Sequence, residues 1–227
     1  MSDVPEVQYN GESMKVKIII ISFIILEASF LYPQDKRNFG IKIGLTSSSV
    51  SKKNVKPLTI GNPRFYINYP DNQLVSPTIS FWVEVINESI FNLEIETSYL
   101  LKGSSAAGIE TVTPGNDPDL ITEVSKSVTF KYLQVNINGQ IKQNIGDIPI
   151  YGIIGPAIGY LLDAENFVLL SNFKKDFIFG YNLGLGIDFN KSTFLEIKYN
   201  GDFTNFYKND YDEYRNKVWA INIGTTL

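Results

Sequence analysis

The feature that most constrains this chain is an alternation of apolar and polar residues with a period of two, which recurs from Phe39 to the last residue. In the first segment, apolar side chains occupy every second position, at Phe39, Ile41, Ile43 and Leu45. Successive side chains of a strand point to opposite faces, so this pattern predicts a strand with one apolar face. A chain built from such segments is expected to form a β-barrel.

Eight segments of this kind are predicted, an even number, as in bacterial single-chain membrane barrels. They cover residues 39–46, 79–86, 93–102, 133–141, 148–162, 176–189, 193–203 and 217–227. In the second segment, Ile86 is assigned to the polar face together with Trp82 and Glu84. The fifth segment is apolar in both registers, which leaves its two faces unassigned.

The connections between these segments alternate in length. Short ones are predicted at 87–89, 144–147 and 190–192, and long ones at about 47–74, 103–126, 163–175 and 205–216. Short turns at one end and long loops at the other are typical of a transmembrane β-barrel.

The start of the chain has the pattern of an export signal. Lys15 and Lys17 precede an apolar run over 18–26, which is too short to span a bilayer as a helix. We therefore predict an upstream extension at 1–13, a true start at Met14, a signal peptide over 14–34 cleaved near Gln34, and a barrel domain over 35–227. An N-terminal membrane anchor or a buried strand is the alternative for the apolar run.

Two residue types that carry much of enzyme chemistry are missing. The chain has no Cys and no His, which excludes thiol nucleophiles, disulfides and every Ser-His arrangement. Its net charge of −4 gives no sign of the positively charged surface that binds nucleic acid. No catalytic, cofactor-binding or metal-binding residues are predicted. Asp210 and Asp212 are interpreted as part of a solvated acidic loop, with a cation site as the alternative.

Alternation alone does not say which face meets solvent, because a soluble lipocalin-like barrel has its apolar face inside. Three features favour apolar residues outside: charged residues of both signs at mid-strand, glycines on the polar face at Gly180, Gly184 and Gly186, and aromatics near strand ends. The charged positions define a predicted lumen ionic network of Lys42, Glu84, Glu94, Glu96, Lys102, Glu196 and Lys198. This assignment also predicts that arginine is tolerated better at Asn182 than at Leu183.

Several of these strands resemble the PorT-like family of small outer-membrane β-barrel proteins. The similar stretches are 39–45, 154–162, 179–187 and 195–199, and the resemblance extends over about 38–227. It implies an all-β, eight-stranded antiparallel up-and-down barrel in a bacterial outer membrane, and little about activity. Many such barrels end in an aromatic residue that the barrel-assembly machinery reads, whereas this chain ends in Leu227.

The leading functional hypothesis is a non-catalytic structural or interaction barrel that contacts a partner through long extracellular loops. We expect a monomer that contacts outer-membrane lipid and, during insertion, the barrel-assembly machinery. The identity of the loop partner stays open. A narrow porin-like channel and a soluble lipocalin-like carrier are the alternatives. A membrane-embedded hydrolase is disfavoured because such enzymes generally use a histidine.

Overall fold

The computed structural model describes residues 38–54, 64–68, 72–112, 126–165, 176–208 and 212–227. The strands are β1 (Phe39–Asn54), β2 (Arg64–Asn68), β3 (Leu74–Asn87), β4 (Phe91–Val112), β5 (Lys126–Ile145), β6 (Ile148–Glu165), β7 (Phe177–Asp188), β8 (Thr193–Asp202), β9 (Tyr207–Lys208) and β10 (Asp212–Thr226). None of the described ranges contains a helix long and apolar enough to cross a membrane. The predicted signal peptide, the 1–13 extension and Asp210 lie outside these ranges.

Eight of these strands form one closed antiparallel barrel. Each of β1, β3, β4, β5, β6, β7, β8 and β10 pairs with its neighbours in chain order, and β10 pairs back onto β1. This closing seam runs from Gly40 opposite Thr226 to Asn54 opposite Asp212. The predicted eight-stranded antiparallel up-and-down barrel is therefore confirmed. Of the two short strands, β2 pairs with the end of β4 and β9 with the start of β10.

The three short turns lie where they are predicted, between β3 and β4, β5 and β6, and β7 and β8. We call this end of the barrel the short-turn end. The predicted bounds of the long connections are wrong, because β1, β4 and β10 extend far into them and β2 lies within one. At Ser47 and Ser49 the outward face of β1 becomes polar, although pairing with β10 continues. Alternation therefore disappears before the strand ends.

The apolar faces point out of the barrel and the polar faces point in. Leu185 on β7 is 71% exposed, whereas Glu196 on the neighbouring β8 is fully buried. Soluble monomers rarely expose a contiguous apolar surface of more than a few hundred Å². A continuous apolar belt around the barrel is the arrangement that lipid requires, which argues against the soluble carrier.

The structure settles the two faces of β6. Tyr151, Ile153 and Leu161 are buried inside the barrel, while Ile154 and Ile158 are exposed on the outside. Because both faces carry isoleucine, sequence alternation could not separate them.

The assignment of Ile86 to the inward face is wrong. A register shift between Glu84 and Ile86 in the β3–β4 pairing turns Ile86 outward, where its side chain is exposed. A β-bulge of this kind adds one residue to a strand and so reverses the faces beyond it.

Candidate functional site in the barrel lumen

The centre of the lumen is organised around the ammonium group of Lys42 on β1. Its Nζ donates to Glu94 Oε1 at 2.8 Å, to Glu96 Oε2 at 3.0 Å and to Glu196 Oε1 at 3.1 Å. An ammonium carries three N–H donors, so each donor has its own carboxylate. The two β4 glutamates alternate with outward-facing Ile95, which places both carboxylates on the lumen side.

Lys198 on β8 is the second cation of this group. Its Nζ lies 2.5 Å from Glu96 Oε2 and 3.4 Å from Glu196 Oε2. We call Lys42, Glu94, Glu96, Glu196 and Lys198 the central cluster. Its side chains are at most 3% exposed. Burying charges is costly unless they are paired and hydrogen-bonded, which the cluster satisfies by placing three carboxylates around two ammonium groups.

Neutral side chains supply further donors to the three carboxylates. Glu94 accepts from Asn138 Nδ2 at 3.0 Å and from Gln140 Nε2 at 3.2 Å. The Tyr151 hydroxyl lies 3.2 Å from Glu196 Oε1, and the Ser98 hydroxyl lies 2.8 Å from Glu96 Oε1. Each carboxylate of the cluster is therefore held by at least one lysine and one neutral donor.

An aromatic layer made of Trp82, Tyr151 and Phe194 lies between the central cluster and the short-turn end. The Trp82 and Phe194 rings meet edge to face with centroids 5.6 Å apart. Lys42 Nζ lies 5.8 Å and 5.4 Å from these two centroids, within cation–π range. Glycine makes room for these rings: a Cβ on Gly224 would lie 2.1 Å from Phe194 Cζ, and one on Gly186 would lie 2.1 Å from Tyr151 Cζ.

A second ion pair and an apolar layer lie on the other side of the central cluster. Lys102 Nζ donates to Asp202 Oδ1 at 2.9 Å and lies 5.2 Å from the centroid of the Tyr132 ring. Beyond this pair the barrel is filled by an outer apolar cluster of Val50, Val128, Phe130, Tyr132, Leu161, Ile178, Phe206 and Tyr214. The lumen is thus layered, with charge in the middle and apolar side chains towards both ends.

Five of the seven residues predicted for a lumen network come together in the central cluster, and two lie apart from it. Lys102 pairs with Asp202 on the far side of the cluster. Glu84 lies nearer the short-turn end, where it accepts from Asn38 Nδ2 at 2.7 Å and Asn92 Nδ2 at 2.8 Å. Asp202 was not predicted as a member, although alternation places it on the same face as Lys198.

Two small cavities flank the central cluster. One of about 90 Å³ lies towards the short-turn end and is lined by Glu94, Glu196 and the aromatic layer. The other, of about 10 Å³, is lined by Glu96, Lys198 and polar side chains of β3 and β5. A single water needs roughly 10–15 Å³, so the first cavity has room for several waters and the second for one at most. No group of three or more acidic side chains in the described ranges is arranged to hold a metal ion.

Comparison with known proteins identifies the family. A family profile described as "Outer membrane protein beta-barrel domain" matches residues 20–226. The chain belongs to this family. An outer membrane protein β-barrel domain places it in the bacterial outer membrane, where short turns face the periplasm and longer connections face outward. Membership of the narrower PorT-like group stays a prediction.

Three solved structures of outer-membrane proteins are similar to this chain at low sequence identity. OprG from Pseudomonas aeruginosa is 11% identical, with a TM-score of 0.46, and the match covers 84% of this chain and 95% of OprG. Ail from Yersinia pestis is 14% identical, with a TM-score of 0.42 and coverage of 85% and 99%. Neisserial surface protein A is 7% identical, with a TM-score of 0.45 and coverage of 85% and 100%. No curated protein sequence matches the chain.

The packed lumen predicts that a thiol inside the barrel reacts much more slowly than one on its outer strands. Because the chain has no native cysteine, a single introduced cysteine is the only site that can be labelled. A Ser98→Cys variant places the thiol beside Glu96 in the buried interior, so it should react very slowly with a bulky maleimide in the folded barrel. A Ser105→Cys variant places it at an exposed position on the extended part of β4, so it should label readily on intact cells. Equal labelling of the two folded variants would contradict a packed lumen.

Proposed function

We propose that this protein is a sealed, non-catalytic outer-membrane barrel that presents its extended outer strands to a partner outside the cell. The observation that carries the proposal is the filled lumen, in which an aromatic layer, the central cluster and the outer apolar cluster succeed one another. An eight-stranded barrel is just wide enough for its own side chains, and here those side chains occupy that space. Such a lumen supports a scaffold role.

The central cluster is proposed to act as a structural plug. Buried ion pairs add little net stability compared with apolar packing, because desolvation offsets their attraction. They do penalise any arrangement in which one member loses its partners. Lys42 on β1 contacts glutamates of β4 and β8, so the cluster links strands that are not neighbours in the sheet. We infer that its role is to specify the strand register and the packing of the barrel.

The outer parts of the strands supply a candidate contact surface. Pairing of β4 with β5 continues to Ala107 opposite Lys126, and β2 adds to β4 from Asn68 opposite Gly108 to Arg64 opposite Val112. Paired strands present a surface with less conformational freedom than free loops, which lowers the entropy lost on binding. A partner outside the cell is therefore the interaction that this barrel supports best.

A narrow channel is the second candidate, because cavities lie on both sides of the central cluster. The periplasmic-side cavity reaches Glu94 and Glu196, and the smaller cavity reaches Glu96 and Lys198. In such a channel the ion pairs between the cavities would act as the gate. The outer apolar cluster opposes this function, since it closes the route towards the outer surface.

Planar-bilayer recording separates the two functions. Folded protein, verified by heat-modifiable gel mobility, should insert without producing reproducible unitary current steps. Stable steps from the native sequence would contradict the sealed barrel. The channel would then be supported if the neutral variant Glu96→Gln changed step size or ion selectivity while a Gln143→Asn variant on the outer surface did not.

A further inference from the structure

Four aromatic side chains form a connected group on the outer surface of β7, β8 and β10. Tyr181 lies 6.1 Å from Tyr199 and 4.9 Å from Phe203, and Tyr199 lies 5.0 Å from Trp219, between ring centroids. We call these four residues the aromatic ladder. They lie in the half of the barrel away from the short turns. Tyrosine and tryptophan concentrate towards the level where the bilayer meets water, so the ladder marks the outer-leaflet half of the apolar belt.

Lys217 lies on the outer surface immediately above this ladder. It is exposed and two positions from Trp219 on β10, and its neighbours Asn216 and Val218 are buried inside the barrel. Among the described residues, no side chain pairs with its ammonium group. Lys131, an outward lysine on β5, is instead bound by Asp163 at 3.1 Å and by Glu165. Lys217 therefore offers an uncompensated positive charge at the level of the lipid headgroups.

In the row of the sheet that contains Lys217, the neighbouring position is a glycine covered by a tyrosine ring. Lys217 pairs with Gly201, and Gly201 pairs with Tyr181 on its other side. Gly201 has no side chain, and the Tyr181 ring lies over it, so close that a Cβ there would be 2.8 Å from the Tyr181 hydroxyl. The row thus presents an ammonium and, over the glycine, a phenol hydroxyl that is also hydrogen-bonded to the Tyr199 side chain.

Arg215 adds a second positive charge next to this row. Its side chain is exposed, and its Nε donates to Asn205 Oδ1 at 2.6 Å, which orients the guanidinium. Its Nη2 lies 3.8 Å from Glu213 Oε2, beyond hydrogen-bond distance. Lysine as a point charge and arginine as a planar fork are the side chains that bind phosphate.

We propose that Lys217, Arg215 and the Tyr181 hydroxyl bind the phosphate headgroup of an anionic outer-leaflet lipid, whose acyl chains lie against the aromatic ladder. The two positive charges and the hydroxyl donor supply the headgroup site. The ladder directly below supplies the apolar surface that an acyl chain needs. The site is independent of the function of the lumen.

The chain carries two tryptophans, which makes the proposal directly measurable. Trp219 is 57% exposed on the lipid-facing surface, whereas Trp82 is 5% exposed inside the barrel. Fluorescence quenching by lipids with brominated acyl chains therefore reports the lipid next to Trp219. Refolded barrel in mixed phosphatidylcholine and phosphatidylglycerol vesicles is measured twice, with one lipid brominated each time. We expect phosphatidylglycerol to be enriched about two- to fivefold at Trp219, up to the value that a single surface cation supports.

Variants separate a specific site from general charge. Lys217→Gln should lower the enrichment, Lys217→Arg should keep it, and high salt should weaken it. The matched control is Lys191→Gln, which makes the same charge change in the β7–β8 turn at the opposite end. Heat-modifiable mobility verifies that each variant is folded. Equal quenching by the two lipids in the native protein, or enrichment that Lys217→Gln leaves unchanged, would overturn the proposal.

Discussion

Replacing Lys42 with methionine is expected to lower the free energy of unfolding by about 3–5 kcal/mol, the cost typical of breaking a buried ion pair by removing one partner. The ammonium of Lys42 is the one group that contacts all three carboxylates of the central cluster. Without it, Lys198 is the only ammonium left in the central cluster, and the three carboxylates stay buried. Urea titration of the barrel refolded into lipid vesicles measures the change.

A second substitution tests whether uncompensated charge is the cause. Adding Glu94→Gln to Lys42→Met removes one buried negative charge, so the double variant should be more stable than the single variant. Methionine has nearly the length of lysine, so loss of packing is small in both. If the double variant loses the sum of the two separate costs, the cluster does not act as a unit.

Replacing Leu183 with arginine should cost about 2–4 kcal/mol, the range for a cation at the bilayer midplane. Leu183 lies near the middle of β7 with its side chain 44% exposed on the lipid-facing surface. The matched control is Gln143→Arg, which places the same side chain on the outside of β5 close to the short-turn end. There the cost should be at most about 1 kcal/mol, because arginine reaches the interface.

Both arginine variants are measured by the same urea titration in vesicles. If Gln143→Arg were as damaging as Leu183→Arg, the depth assigned to these two positions would be wrong. Equal tolerance of both variants would mean that the outer surface of β7 does not face lipid.

The sequence expectation that Asn182 tolerates arginine better than Leu183 does not fit the structure. Asn182 is fully buried in the lumen, and its Nδ2 donates to Asn138 Oδ1 at 3.2 Å. An arginine there would have to displace packed neighbours. Alternation identifies the face of a residue, but it carries no information on how much space that face leaves.

The faces of most strands could be predicted because lipid and a narrow interior impose opposite demands on neighbouring positions. The prediction fails where one of those demands disappears. On β6 the interior accepts Ile153 and Leu161, because this strand faces the apolar layers. Beyond Thr46 on β1 the demand for apolar outward side chains weakens, because Ser47 and Ser49 stand on the outer face while the strand continues.

The sequence pattern could not predict which residues of the central cluster pair with one another, and the reason is geometric. Alternation places Lys42, Lys102 and the glutamates on the same side of the sheet. Which lysine meets which carboxylate depends on the stagger of the strands around the barrel, which the pattern does not encode. Asp202 illustrates this limit, because it lies 100 positions from Lys102 and yet binds it at 2.9 Å.

The closing seam between β1 and β10 has a consequence for how the barrel assembles. Lys42 and Glu196 are 154 positions apart, so no single hairpin can bring them together. Contacts of such high contact order are expected to form late, after most loop-closure entropy has been lost. A slip of one residue in any strand would turn its charged side chains from the lumen to the lipid. The pairing of β1 with β10 therefore selects for correct register. Only a correctly registered sheet places three carboxylates within hydrogen-bond distance of Lys42.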